Sequence, residues 1–152
     1  MNWPAISELV PHSGDMVLLD RVIEADQDTL CAELTIGPDT VFFDGQGVGA
    51  WVGIEYMAQA IAAHAGHKAR LRGDAVKVGF LLGARRYQAN VPLFTLGTVL
   101  RVHVQHAMQG DNGLAAFECR ITDSASGALL ANATITVFEP DNVNEFLQRS
   151  FS

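Results

Sequence analysis

The sequence predicts an α+β domain in which an antiparallel sheet wraps around one long central helix, and three observations lead there. The stretch from about residue 50 to residue 68 is apolar nearly all the way round, as a buried helix requires. Everything after residue 76 reads as strands separated by short polar turns, which is the pattern of a meander. The length of 152 residues, with 49% hydrophobic and 18% charged content, suits one domain spanning 1–152 that buries a core unaided.

Taken in order, residues 4–10 read as a short helical turn with Pro4 near its first position, ended by Pro11. Residues 16–23 and 29–36 read as paired strands joined by the polar Ala25-Asp26-Gln27-Asp28. In the second of these, Leu30, Ala32, Leu34 and Ile36 alternate with Cys31, Glu33 and Thr35, as a half-buried strand does. Thr40-Val41-Phe42-Phe43 leads to glycines at 45, 47 and 49 and then to the long helix, where Glu55 is the lone carboxylate ahead of a basic end. Strands follow at 76–88, 97–109, 113–122 and 128–138, with hairpin connections at 109–113 and 123–127. Asp141 caps a final short helix that runs on to Arg149. A sheet of this kind leaves edges, and pairing across a dimer is a common remedy.

Composition excludes several classes. A net charge of −7 disfavours a nucleic-acid binder, whose affinity rests on phosphate neutralisation. The longest uncharged stretches, 124–138 and 87–100, are too short and too polar to cross a membrane. No basic region followed by an apolar one opens the chain, and only Cys31 and Cys119 are present, so a reducing cytoplasm is the expected compartment. The charge is unevenly spread: residues 68–86 hold Lys68, Arg70, Arg72, Lys77, Arg85 and Arg86 against Asp74 alone. Such a run is a solvated face or a docking patch for a phosphate arm or an acidic partner.

The candidate chemistry gathers around the helix start. Gly45-Gln46-Gly47-Val48-Gly49-Ala50 matches a dinucleotide fingerprint by letter, but the strand-rich remainder lacks the alternating units such a fold needs. What survives is that glycines there let a ligand carbonyl or phosphate approach free backbone N–H groups. Glu55 and Gln59 lie at i and i+4 on one helix face, and a carboxylate buried there is a candidate acid or base. His64, His67, His103 and His106 form no metal set and read as solvated or core residues, while His12 sits on a turn ahead of an apolar strand. Neither a metal nor a cofactor is expected.

Segments in the same order resemble the FabZ and FabA type of 3-hydroxyacyl-acyl carrier protein dehydratase. Val10-Pro11-His12 with Met16-Val17-Leu18-Leu19-Asp20-Arg21-Val22 is similar to that family's entry motif, and Phe42-Phe43-Asp44-Gly45 to its Phe-Phe-x-Gly turn. Ile54-Glu55-Tyr56-Met57-Ala58-Gln59-Ala60 is similar to its Glu-Ala-Met-Ala-Gln helix, and Gly83-Ala84-Arg85-Arg86-Tyr87 with Val91-Pro92 to the strand that follows. The family's base histidine is missing, because Gln46 stands where it would follow Gly45. This departure resembles a dehydratase-like subgroup that occurs with aryl polyene gene sets.

The resemblance implies a hotdog fold and elimination of water from a 3-hydroxyacyl thioester. It implies Glu55 as the catalytic carboxylate, with His12 or a partner's histidine as the base. Gln46, Gly47, Gly49, Gln59, Arg85 and Arg86 become the residues expected to bind substrate. The implied partners are a phosphopantetheine-linked acyl carrier protein or acyl-CoA, and a second hotdog subunit in a homodimer or heterodimer. Two other readings stay open: a thioesterase using Glu55 and water, and a non-catalytic carrier-binding subunit.

Overall fold

In a computed structural model, which describes residues 3–10, 14–73, 80–110 and 112–138, the helix and the sheet take the expected arrangement. Six antiparallel strands stand in the order β1-β2-β6-β7-β8-β4: β1 (Arg21–Ala25), β2 (Thr29–Thr35), β6 (Val99–Gln109), β7 (Leu114–Asp123), β8 (Leu129–Phe138) and β4 (Phe80–Ala89). A separate pair joins β3 (Gly47–Gly49) to β5 (Leu93–Thr95). The short α1 (Ile6–Leu9) crosses the long α2 (Gly53–Leu71).

Alternation sets the core. Leu30, Ala32 and Leu34 of β2, Leu100, Val102 and Val104 of β6, Phe117, Cys119 and Ile121 of β7, and Ala131, Ala133 and Ile135 of β8 are all buried. They form one cluster with Tyr56, Met57, Ala60, Ile61 and Ala63 of α2. On the outer face, Glu33 is covered by Arg21 at 2.8 Å and Arg101 at 3.5 Å, both cross-strand partners in register.

The segment expected as a strand over 16–23 differs. Residues 14–16 make a 3₁₀ turn and β1 begins only at Arg21, because the buried Gln59 takes the place of a neighbouring strand. Its Oε1 accepts the Leu18 N–H at 2.9 Å and its Nε2 donates to the Met16 carbonyl, so α2 holds this stretch of backbone. The pair β3–β5 is likewise absent from the sequence reading, since three residues on each side are too few to show periodicity. His12, the beginning of the strand expected from residue 76, and the terminal helix expected from Asp141 lie outside the described residues.

Two helix glycines allow close approach. A methyl group on Gly66 would lie 1.9 Å from the Leu9 carbonyl oxygen, and one on Gly53 would lie 2.3 Å from the Tyr87 hydroxyl. His64 is buried against Phe117 and donates through Nε2 to the Gln27 carbonyl at 3.1 Å. Burial, with Lys68 adding to it, pushes its pKa down from 6.5.

Two outcomes follow for stability. Gly66→Ala should cost about 1–3 kcal/mol in denaturant unfolding, because α1 must move aside; unchanged stability would mean the crossing is looser than described. His64 is harder to protonate folded than unfolded, so its contribution is complete above about pH 6.5 and fades as the pH falls below that value. Unfolding midpoints at pH 7.5 and 5.5 should therefore diverge more in the wild type than in His64→Gln.

Candidate functional site

The approach to α2 is built from a chain of backbone constraints. Asp44 accepts the N–H groups of Gln46 at 2.8 Å and Gly47 at 2.9 Å, and these bonds hold its carboxyl below the usual carboxylate range. Gly45 takes φ 102°, and Phe42, a bulky residue, takes φ 69°. Leu96 N–H bonds the Gln46 carbonyl at 3.0 Å and Ala50 N–H bonds the Pro92 carbonyl at 3.1 Å, which fixes the register of β3 on β5. In that register the N–H groups of Gly47 and Gly49 turn away from β5.

The glycines thus act differently from the open cradle expected of them. A Cβ on Gly47 would lie 2.2 Å from the Phe94 carbonyl oxygen, and one on Gly49 would lie 2.4 Å from the Trp51 indole nitrogen. Both positions are glycine because the protein itself packs there. The Gly47 N–H is engaged by Asp44, and the Gly49 N–H faces the Phe42 carbonyl in the bridge that pairs Phe43 with Val48.

Residues 50–52 form a 3₁₀ turn that runs into α2. Its start is held by Tyr87, whose hydroxyl donates to the Ala50 carbonyl. A bulge in β4 between Arg85 and Gln88 lets Tyr87 reach inward, and Arg86 at the bulge takes φ 56° with its side chain exposed. Burial raises the Tyr87 phenol to about 12, so it stays a donor at neutral pH. Tyr87 closes the Gly83-Ala84-Arg85-Arg86-Tyr87 motif of the resemblance, but nothing in the sequence marks it as the anchor of the helix start.

Glu55 is exposed, which corrects the expectation of a buried carboxylate. The buried side of α2 runs through Gly53, Tyr56, Met57, Ala60, Ile61, Ala63 and His64, whereas Trp51, Glu55, Ala58, Ala62 and Ala65 lie one helical step round and are exposed or half-buried. Trp51 is 64% exposed and Phe42 55%, and their rings meet edge to face at 5.3 Å beside the helix start. Leu96, 51% exposed, is anchored through its N–H to the Gln46 backbone. Gln46 itself is exposed. Gln59, expected beside substrate on the face of Glu55, is 1% exposed and bonded to Met16 and Leu18, so it is a positioning residue for the segment that follows residue 13.

Among the described residues no histidine accompanies Glu55. His64 and His67 lie nine and twelve residues further along α2, about 14 and 18 Å up the helix axis. His103 is on the sheet's outer face near Thr122, and His106 packs on Phe117. The basic run also divides among its described members, Lys77 lying outside the described residues. Lys68, Arg70 and Arg72 sit at the far end of α2, with Arg70 3.7 Å from Glu8, while Arg86 belongs to the helix-start end through the Tyr87 contact. The side chain of Arg85 lies outside the described part. No described group of three or more His, Cys, Asp and Glu could hold a metal ion, and no described helix is long and apolar enough to cross a membrane.

Comparisons with known proteins place this arrangement. A family profile described as ApeP-like, ApeP dehydratase, matches residues 4–148. A chain of the structure described as the dehydratase heterocomplex ApeI:P from Xenorhabdus doucetiae is 30% identical over 99% of this chain and 100% of its own, with a TM-score of 0.89. A hypothetical thioesterase from Streptococcus pneumoniae, solved with coenzyme A, matches at 14% identity over 78% of this chain and 84% of its own, with a TM-score of 0.59. The PaaI protein of Escherichia coli matches at 15% identity over 78% and 81%, with a TM-score of 0.60, so these two likenesses concern the hotdog fold. The search of curated proteins gives no match. Together with the helix motif carrying Glu55, these matches make the chain a member of the ApeP-like dehydratase family, with the hotdog fold.

Proposed function

We propose that this chain is one subunit of a heterodimeric hotdog dehydratase, acting on 3-hydroxyacyl thioesters and lending Glu55 to an active site whose histidine comes from the partner. The observation that carries this is an exposed Glu55 beside the exposed Trp51–Phe42 pair, with no described histidine near it. Apolar rings left open at a helix start are a surface that association covers, and covering them would desolvate Glu55. The printed description of the similar complex, a dehydratase heterocomplex, supports a second hotdog chain as that cover.

Elimination needs two proton transfers: a base removes the α-proton, and an acid protonates the departing 3-hydroxyl. A partner imidazole suits the first task and Glu55 the second. The enolate oxygen that develops on the thioester needs a donor fixed in advance. That donor is left to the partner subunit, because the Gly49 N–H is turned to the Phe42 carbonyl across the rigid turn through Asp44. The acyl group's carrier would be a phosphopantetheine-linked protein or coenzyme A, in keeping with the coenzyme A seen in a thioesterase of the same fold. Arg86, exposed at the same end, is the described cation positioned to meet that phosphate.

An assay with a 3-hydroxyacyl-carrier substrate tests this. The chain alone should be silent, and adding an ApeI-type hotdog subunit should yield 2-enoyl product. Glu55→Gln in this chain should then lower kcat about 10²–10⁴-fold while the complex still forms. Full turnover of that variant would make the chain a non-catalytic subunit. Free acid released by the chain alone would make it a thioesterase. Elimination by the chain alone, lost in His12→Ala, would move the base to His12.

A further inference from the structure

The hairpin between β6 and β7 brings together two groups that react with each other. The chain has asparagines at 2, 90, 112, 132, 142 and 144, and Asn112 alone precedes a glycine. A backbone nitrogen that attacks the carboxamide of the residue before it closes a five-membered ring, and a side chain on the attacking residue obstructs that closure. Val91 and Ala133 present such side chains after Asn90 and Asn132. Those two are also held: Asn90 donates through Nδ2 to the Leu129 carbonyl at 3.0 Å, and Asn132 stands inside β8, opposite Arg120.

Asn112 is exposed in the turn. Its Oδ1 accepts the Leu114 N–H at 3.4 Å, which closes a ring around the Asn112–Gly113 peptide and draws electron density from Cγ. The Gly113 N–H makes no hydrogen bond among the described residues, so its nitrogen is not tied into a ladder. Gly113 takes φ 88°, where glycine is favoured, so the turn itself calls for an attacking residue without a side chain. The hairpin closes just outside the pair, with the Gly110 N–H on the Leu114 carbonyl at 2.7 Å.

We propose that Asn112 is a site of spontaneous deamidation, with water as the co-reactant. The Gly113 nitrogen gives up its proton to water and bonds to Cγ, the carboxamide C–N bond breaks, and ammonia leaves. The cyclic imide then takes up one water. Opening at Cγ gives aspartate, and opening at the backbone carbonyl gives isoaspartate, whose main chain runs through the side-chain methylene. Nothing is oxidised or reduced. Either product adds one negative charge to a chain that already carries −7. Isoaspartate also lengthens the main chain inside the turn, which strains the closure of Gly110 on Leu114. This chemistry belongs to one protomer and does not depend on the role of Glu55.

The folded full chain, kept for weeks in mildly alkaline buffer, should accumulate a species with one more negative charge on ion exchange. Peptide mapping should place the change at residue 112, with aspartate and isoaspartate both present, the second accepting a methyl group from an isoaspartate-specific methyltransferase. Gly113→Ala should slow the change about tenfold, because a methyl group then shields the nitrogen. Asn112→Gln, which would need a less favourable six-membered ring, should abolish it, and this variant decides the matter should Gly113→Ala fail to fold. In the isoaspartate form the Gly110 amide should exchange its hydrogen faster than in the unmodified chain. The proposal is overturned if the added charge maps to another asparagine or if Asn112→Gln gains charge at the wild-type rate. It is overturned as well if the folded chain keeps Asn112 intact while the same chain unfolded in guanidinium loses it, because the turn would then protect the residue.

Discussion

The structure depends on burying an almost wholly apolar helix, and nearly every other feature serves that constraint. A nineteen-residue α2 with Glu55 as its only carboxylate is not stable alone in water, so the sheet must curve round it and present an alternating inner face. Leu30, Val102, Phe117 and Ile135 belong to four different strands and meet the same helix. The close contacts elsewhere follow from the same demand. Gly66 lets α1 cover one end of the helix, and Gly53 lets Tyr87 pin the other. Gln59 shows how a polar group is tolerated inside: it completes the backbone hydrogen bonds of residues 16 and 18, which have no strand beside them.

At one place that burial is incomplete. The helix turns Trp51 and Glu55 outward at its start, where Phe42 is held in a left-handed conformation against Trp51. A bulky residue at positive φ with an exposed ring is a local cost, and such costs concentrate where a surface is used. The β3 edge ends there as well, with the Gly49 N–H turned to the Phe42 carbonyl. A carboxylate and an apolar landing surface thus share one end of the molecule, which is what the proposed composite site asks of one of its two subunits.

Much of the fold was legible because burial writes long periodic patterns. The alternation of Leu30 to Ile36 and of Ala115 to Ile121 came through almost to the residue, and the largely apolar helix, expected over 50–68, stands at Gly53–Leu71. What stayed hidden has no period. Three-residue strands, the bulge at Arg86 and the left-handed Phe42 depend on contacts between distant segments. The site was legible in its residue types and less so in its geometry. The motif located Glu55 and Gln59 correctly on α2, but a four-residue spacing does not reveal that one turns to solvent and the other to the core. In the same way the six cations looked like one patch along the chain, although a helix of this length carries its two ends about 27 Å apart.

A composite site at Glu55 requires a second chain to complete it. The most direct measurement is a crystal structure of this chain bound to an ApeI-type hotdog subunit. It should show the partner covering Trp51 and Phe42 and bringing a histidine within hydrogen-bond reach of the Glu55 carboxylate, about 3 Å, or one water away. A complex that assembles through another face and leaves Glu55 in solvent would contradict it.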